Sequence, residues 1–224
     1  MKISQMAGLS VKDRLLETAA RLFYRQGYNL TGINQILAES DAAIGSLYKH
    51  YPSKVDLLIA YLEKANEIYF SSLKTFTDKY KKPEDKLLAF FDFHKEFQQE
   101  GDFLGCNFMK INAEIARQEP KVEAIVQTHK KNVQTLLHEW VSALPQFKSK
   151  APARTADHVR ISNLPRTSEI PKPSDPARTS DLAKTAALLT DTIYLLFEGA
   201  MIDTTIQRNL HLLNRAREIV KNLI

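Results

Sequence analysis

Apolar positions recur at helical spacing along most of the chain, and each run is bounded by a start or stop signal. Ser10 and Asp13 have the spacing of a capping box, with aspartate in the usual glutamate position. Leu15, Leu16, Ala19, Ala20, Leu22 and Phe23 then repeat every three or four residues until Gly27 ends the run. A short helix opens at Thr31 with Ile33, Ile36 and Leu37 apolar, and Ser40 and Asp41 break it. A second short helix is predicted over residues 43–49. Ser53, with Asp56 three residues on, restarts the pattern: Leu58, Leu62, Ala65, Ile68 and Tyr69 mark one face of a long helix reaching about residue 79, on the order of 40 Å. Pro83 suits the first turn of the next helix, which carries Leu87, Phe90, Phe91, His94 and Phe97 on one side and ends at Gly101. Two more helices are predicted over 103–117 and 120–144.

The segment 146–180 reads differently. Six of the nine prolines lie between Pro145 and Pro176, and seven cations against three carboxylates fall between Lys148 and Ser180. With few large apolar residues, it is expected to be a flexible loop. Asp181 then caps a strong helix in which Leu182, Ala186, Leu189, Ile193, Leu196 and Ala200 step by fours and threes, the seam of a helix packing at a shallow angle on a partner. Leu212, Ala216, Ile219 and Leu223 repeat the rhythm to the end. No stretch alternates with period two and there are no internal repeats. The fold class is therefore all-α with about nine helices, divided into an N-terminal domain over 1–52 and a larger helical domain over 53–224.

Composition narrows the function. The chain has 224 residues, 44% apolar and 25% charged, with a formal net charge of +5, the make-up of an ordinary globular protein with enough chain for a sizeable core. The mild basic excess permits a polyanionic partner without demanding one. The single cysteine, Cys106, excludes an internal disulfide and a cysteine zinc cluster, and reads as a buried small hydrophobe. The first residues lack the apolar run of a signal peptide, and the most apolar stretch, residues 186–200, is broken by Asp191 and Glu198. The expectation is a cytoplasmic protein with no membrane partner, no metal and no cofactor.

Three short helices over 11–49, the last two separated by a tight turn, have the arrangement of a helix-turn-helix. Arg14-Leu-Leu-Glu-Thr-Ala-Ala-Arg-Leu-Phe23, Gly27-Tyr28, Thr31, Ile33, Ile36, Gly45, Leu47-Tyr48, His50-Tyr51 and Ser53-Lys54 resemble the motif of the tetracycline-repressor (TetR) family of transcriptional regulators. About 45 residues carry the resemblance. It implies a three-helix DNA-binding domain joined by a long helix to a larger ligand-binding and dimerisation domain. Its implied partners are double-stranded DNA bearing a palindromic operator, a second copy of the chain and a small-molecule effector.

Each contact has a physical reason. In such a motif the second helix enters the major groove, so Ala43, Ile44, Ser46 and Lys49 form the groove face and Gly45 lets backbone approach the sugar-phosphate wall. Tyr48 and His50 can donate to phosphate oxygens. Lys54 adds its charge to a helix start, and Thr31 either caps its helix or reaches phosphate, with Asn34 and Gln35 on the same turn. Leu47, Tyr51, Phe23, Ile33 and Ile36 read as core. The family usually carries Gly-Val-Ser in the turn, where this chain has Asp41-Ala42-Ala43. Aspartate tolerates the left-handed conformation, but losing the serine cap costs about 1 kcal/mol unless Asp41 caps instead.

For the larger domain the resemblance implies a four-helix dimer interface, with the 182–200 seam and the 212–223 stripe as its residues; the alternative is that these helices bury their seam within one chain. A ligand pocket is expected among Phe90, Phe91, Phe97, Phe108, Trp140, Tyr194 and Phe197, with Phe93, Phe103 and Met109 as further members. Its polar groups would come from His94, Asn107, Asn112 or His129. Taken singly, each phenylalanine reads equally as core. Two rival classes stay open: an all-α enzyme, for which no nucleophile elbow, phosphate loop or metal-binding histidine pair is present, and an interaction protein whose basic 148–180 loop binds acidic partners.

Overall fold

The computed structural model describes residues 8–148 and 176–224, with the backbone alone over 176–183. Among the described residues nine α-helices follow in chain order: α1 (Val11–Gln26), α2 (Ile33–Ser40), α3 (Ile44–His50), α4 (Lys54–Thr77), α5 (Pro83–Glu100), α6 (Asn107–Glu114), α7 (Pro120–Ser142), α8 (Pro176–Gln207) and α9 (His211–Leu223). A single 3₁₀ turn, Ala116–Gln118, joins α6 to α7. No strand occurs among the described residues.

The sequence signals act where expected at several ends. The Ser10 hydroxyl oxygen accepts from the Asp13 N–H at 3.2 Å and caps α1, and Ser53 does the same for α4 through Asp56 at 3.1 Å. Pro83 and Pro120 occupy first turns, where a missing N–H costs nothing. Gly27 ends α1 with φ near 90°, a conformation that disfavours any Cβ.

Three boundaries differ. The helix predicted over 103–117 is only α6, because Asp102 and Phe103 both adopt left-handed backbone, φ 53° and 56°, and so cannot lie inside a helix. The predicted cap at Asp181 is not a helix start, since α8 begins at Pro176. The flexible loop expected over 146–180 is therefore helical from 176, and Phe147 at its other end packs on the core. Its centre, 149–175, lies outside the described residues.

The apolar side chains form two cores. One gathers Leu15, Ala19, Phe23, Ile36, Leu47 and Leu58 from α1 to α4, together with Phe108 and Ile111 of α6 and Val122 and Val126 of α7. The predicted boundary at residue 52 thus cuts through a shared core. The second gathers Leu73, Phe90, Phe91, Trp140, Ile193, Phe197 and Leu213 from α4, α5 and α7 to α9. Over Lys184–Gln207 the chain is, by length and composition, apolar enough to cross a membrane, despite Asp191 and Glu198. Its Ala186, Ile193, Phe197 and Ala200 are buried against the other helices, and Glu198 is paired with Lys130 at 2.7 Å, the packing of a core helix.

Candidate nucleic-acid interface and ligand cavity

α2 and α3 form the helix-turn-helix. Asp41 makes the turn with φ 50°, as its tolerance of that region allows, and its N–H bonds the Leu37 carbonyl to close α2. Arg14 holds the turn from α1: Nε donates to the Ser40 carbonyl at 3.0 Å and Nη2 to the Asp41 carbonyl at 2.8 Å. The first helix of the motif is therefore pinned through backbone oxygens, a role for Arg14 that spacing alone did not reveal. α3 starts at Ile44, one residue later than predicted, and its cap residue Ala43 offers no side-chain acceptor. Asp41 does not make good the missing serine.

Leu47 is fully buried in the small core and fixes the rotation of α3. That rotation leaves Ala43, Ile44, Gly45, Tyr48, Lys49 and His50 exposed and Ser46 half-buried. Ile44 at 56% and Tyr48 at 47% exposure are large apolar surfaces without a partner in the chain. The predicted groove face is thus brought together on one short helix.

Other predicted contacts are placed differently. Thr31 is fully buried and its hydroxyl donates to the Gly27 carbonyl at 2.6 Å. Gly32, not Thr31, is the cap residue of α2, so the threonine side chain neither caps nor faces a phosphate. Asn34 is exposed on the first turn. The Gln35 amide is occupied by Gln26 and Glu39, at 2.9 Å each. Hydrogen bonds from Arg21 and then Gln35 hold the Glu39 carboxyl below its ordinary range. Lys54 stands at the start of α4, but its Nζ donates to the Tyr28 carbonyl at 2.7 Å and lies 4.0 Å above the Tyr28 ring. Partial burial pushes its pKa down, and it braces the α1–α2 loop.

A cavity of about 990 Å³ opens between α1, α4, α5, α6, α7 and α8. Of the predicted pocket residues, His94, Phe97, Phe108 and Phe197 line it, and Phe93, Asn107, Met109 and His129 join them. Phe90, Phe91 and Trp140 belong instead to the second core, where Phe90 meets Trp140 edge-on at 6.4 Å. Asn112 is exposed on the outer side of α6, and Tyr194 stands outside the lining. Phe103, half-exposed, does not line it either.

The cavity's polar chemistry is organised by burial. His94 Nδ1 is 2.7 Å from the Phe90 carbonyl, which can only accept, so the proton sits on Nδ1 and Nε2 accepts from the Tyr69 hydroxyl at 3.1 Å. Burial pushes the His94 imidazole down to about 3 and that of His129 likewise to about 3, so both rings are neutral at pH 7. His129 bonds Asn66 at 2.8 Å and stacks on Phe108 at 3.6 Å, 8° from parallel. Tyr24, Tyr61 and Tyr69 of the lining were missed in the sequence; the only signal was their polar-tipped rings on the inward faces of α1 and α4. Among the described residues no group of three His, Cys, Asp or Glu side chains is gathered as metal ligands.

The predicted dimer seam is corrected. Ala186, Ile193, Ala200 and Ala216 are buried within the chain, and Leu189 and Leu196 pack partly against the same core. Leu182 lies outside the described side chains. The face of α8 left without a partner carries Leu188, Leu195 and Ile202, which are 68%, 69% and 52% exposed. Leu212, Ile219 and Leu223 of α9 are exposed.

The fold and the exposed α3 face define a helix-turn-helix head on an all-helical body with an internal cavity. Residues 15–61 match the family model of bacterial regulatory proteins of the tetR family. The helix-turn-helix head is thus similar in sequence to the DNA-binding segment of that family. Among curated proteins it is 46% identical over 57 residues to the transcriptional regulator LmrA of Bacillus subtilis, covering 25% of this chain and 29% of LmrA. The chain thus spans under a third of that relative in the match. Whole-chain likeness lies in the fold. The reduced form of E. coli NemR superposes with TM-score 0.66 at 21% identity, covering 95% of this chain and 96% of that one. A TetR transcriptional regulator from Chloroflexus aurantiacus gives 0.68 at 19%, covering 95% and 92%.

Proposed function

We propose that the chain is a homodimeric transcriptional repressor of the bacterial cytoplasm that binds a short palindromic operator and is released by a small aromatic ligand. The observation that carries this reading is α3: Leu47 anchors it, and Ile44, Tyr48, Lys49 and His50 stand exposed around a side-chain-free Gly45. Ile44 meets a thymine methyl and Gly45 admits the backbone. Tyr48, Lys49 and His50 reach phosphates. Thr31 and Gln35 hold the motif together, and Lys54 sets its loop.

Two heads read two half-sites when a two-fold axis relates them. The exposed rows Leu188, Leu195, Ile202 and Leu212, Ile219, Leu223 supply a self-complementary apolar face for that axis, since apolar rows this long are seldom left to water. The cavity supplies the effector site. Repression is chosen because release by a ligand couples naturally to a cavity packed against the reading head.

Footprinting on the DNA flanking the protein's own gene, at near-physiological salt with excess random competitor, tests the reading. A protected palindrome with half-sites about one helical turn apart is expected. Binding that shows no preference over random DNA, or that survives Tyr48→Ala but is lost on deleting 150–175, sinks it and favours the basic-loop alternative.

A further inference from the structure

The cavity has an apolar rim where α6 meets α8. Met109 of α6 and Ile202 and Ile206 of α8 line the cavity and yet stand exposed, the last at 70%. Gly105 sets the start of α6 against this stretch of α8, since a Cβ on it would lie 2.8 Å from Thr205 Oγ1. Large apolar groups at the edge of a cavity and in water together call for a cover.

The same two isoleucines end a longer row. Leu188, Leu195 and Ile202 step by seven along α8, and Ile206 lies one turn further, in a line of exposed apolar side chains. α9 repeats the step with Leu212 and Ile219, followed by Leu223. Gly199 falls on the α8 row, four residues after Leu195 and three before Ile202. Among the described residues nothing stands within 4 Å of where its Cβ would be. A glycine inside a helix is destabilising, and no contact within the chain requires this one. A second backbone crossing close to α8 does.

Charge agrees with that reading. Asp191 sits three residues after Leu188 on α8, and Arg215 three after Leu212 on α9, both exposed. Among the described residues neither is in an ion pair, whereas Glu198, Arg217 and Lys221 of the same helices are. An apolar row beside an unpaired acid and another beside an unpaired base are matched by a two-fold pair of chains, α8 of each against α9 of the other. Both halves of the match lie on one chain, which singles out a second copy as the occupant.

We infer that the second copy completes the cavity: the face that makes the dimer also closes the mouth over Met109, Ile202 and Ile206. This rests on the dimer of the proposed repressor, and makes each effector site a property of two chains. A guest held in the cavity then touches the partner as well. Filling the cavity tightens the dimer, and by reciprocity the dimer tightens its hold on the guest.

Cys106 reports on the mouth. It is the chain's single cysteine, is partly buried and lines the cavity, next to Gly105. The test is the rate at which N-phenylmaleimide labels it in the full chain, without DNA, beside sedimentation of the same samples. Labelling should be slow in the dimer and at least tenfold faster once dilution splits it. Leu188→Arg, about 21 Å along α8 from Ile202, should be a folded monomer that labels at the fast rate at every concentration. Asp191→Arg should weaken the dimer and speed labelling. Adding Arg215→Asp should restore both, a rescue that a merely unfolded variant would not show. A dimer that labels as fast as the monomer, or a charge swap that fails to restore protection, would overturn the inference. So would a dimer lacking residues 150–175 that labels at the monomer rate, because that segment would then be the cover. A dimer with an unprotected Cys106 leaves the dimer reading standing, whereas a parent that is monomeric at every concentration sinks both.

Discussion

The Glu114 carboxylate accepts the backbone N–H of Asn29 at 2.7 Å, joining the end of α6 to the loop between α1 and α2. A Cβ on Gly27 would stand 2.5 Å from the same carboxylate. The end of α6 is thus tied to the α1–α2 loop by an acidic side chain, with a glycine making room for it. Lys110, one turn earlier on α6, bonds the Tyr24 carbonyl on the same side.

Gly27→Ala should destabilise the protein by about 2 kcal/mol, from the positive φ and from the displaced carboxylate. Glu114→Ala alone should cost about 1 kcal/mol. Combined, the two should cost less than their sum, because without the carboxylate only the φ penalty remains. Urea unfolding of the four proteins of this cycle measures it, and strict additivity would show that the glycine is not there for the glutamate.

Tyr48→Ala and Lys49→Ala should weaken operator binding with unchanged helical circular dichroism and melting. Lys49→Ala should also lower the salt slope of binding by about one. Lys54→Met should behave otherwise. It removes the bond to the Tyr28 carbonyl and the contact with the Tyr28 ring, so it should lower stability by about 1–2 kcal/mol as well as affinity. Thermal melts beside binding isotherms separate the two classes of variant.

Leu195→Arg should yield a folded monomer by sedimentation, and Ile193→Ala a dimer less stable by roughly 2–4 kcal/mol. The residues are two apart on α8 but face opposite ways, one exposed and one fully buried. If Ile193→Ala dissociated the protein without unfolding it, the face assignment would be inverted.

Acid should weaken the fold through His94 and His129. Both have folded values near 3 against an ordinary 6.5. Below pH 6.5 the unfolded chain binds protons that the folded chain refuses, so stability falls as pH falls across that window. Each histidine contributes up to about 1.4 kcal/mol per pH unit. The double variant His94→Gln, His129→Gln should show a flatter dependence of the urea midpoint between pH 6.5 and 5. An unchanged slope would place the sensitivity elsewhere.

The elements legible in the sequence were those with local causes. Ser10, Ser53, Pro83 and Pro120 mark helix starts by their own chemistry, and the α3 face followed from the one buried residue, Leu47. Where local chemistry allowed two outcomes, the sequence was silent. Thr31 has a hydroxyl that suits a cap, and tertiary packing gave it to the Gly27 carbonyl instead. α8 is apolar on nearly every side, so a four-three rhythm fits two stripes equally, and only the position of α7 and α9 decides which is covered. The cavity wall was half-visible, because a phenylalanine looks alike in a core and in a lining. Asp102 and Phe103 end a helix by backbone geometry that their side chains do not advertise.

The core that spans residue 52 bears on how such a protein can change. Phe108, Val122 and Val126 complete the packing begun by Leu15 and Leu47, so the head is not a cassette that detaches at the end of its sequence motif. A graft of residues 1–52 onto a foreign body would leave apolar surface bare unless the new body brought its own match for α6 and the start of α7. The exposed face of α3 can change while the body stays put. Exchanging whole heads requires both sides of that seam to move together.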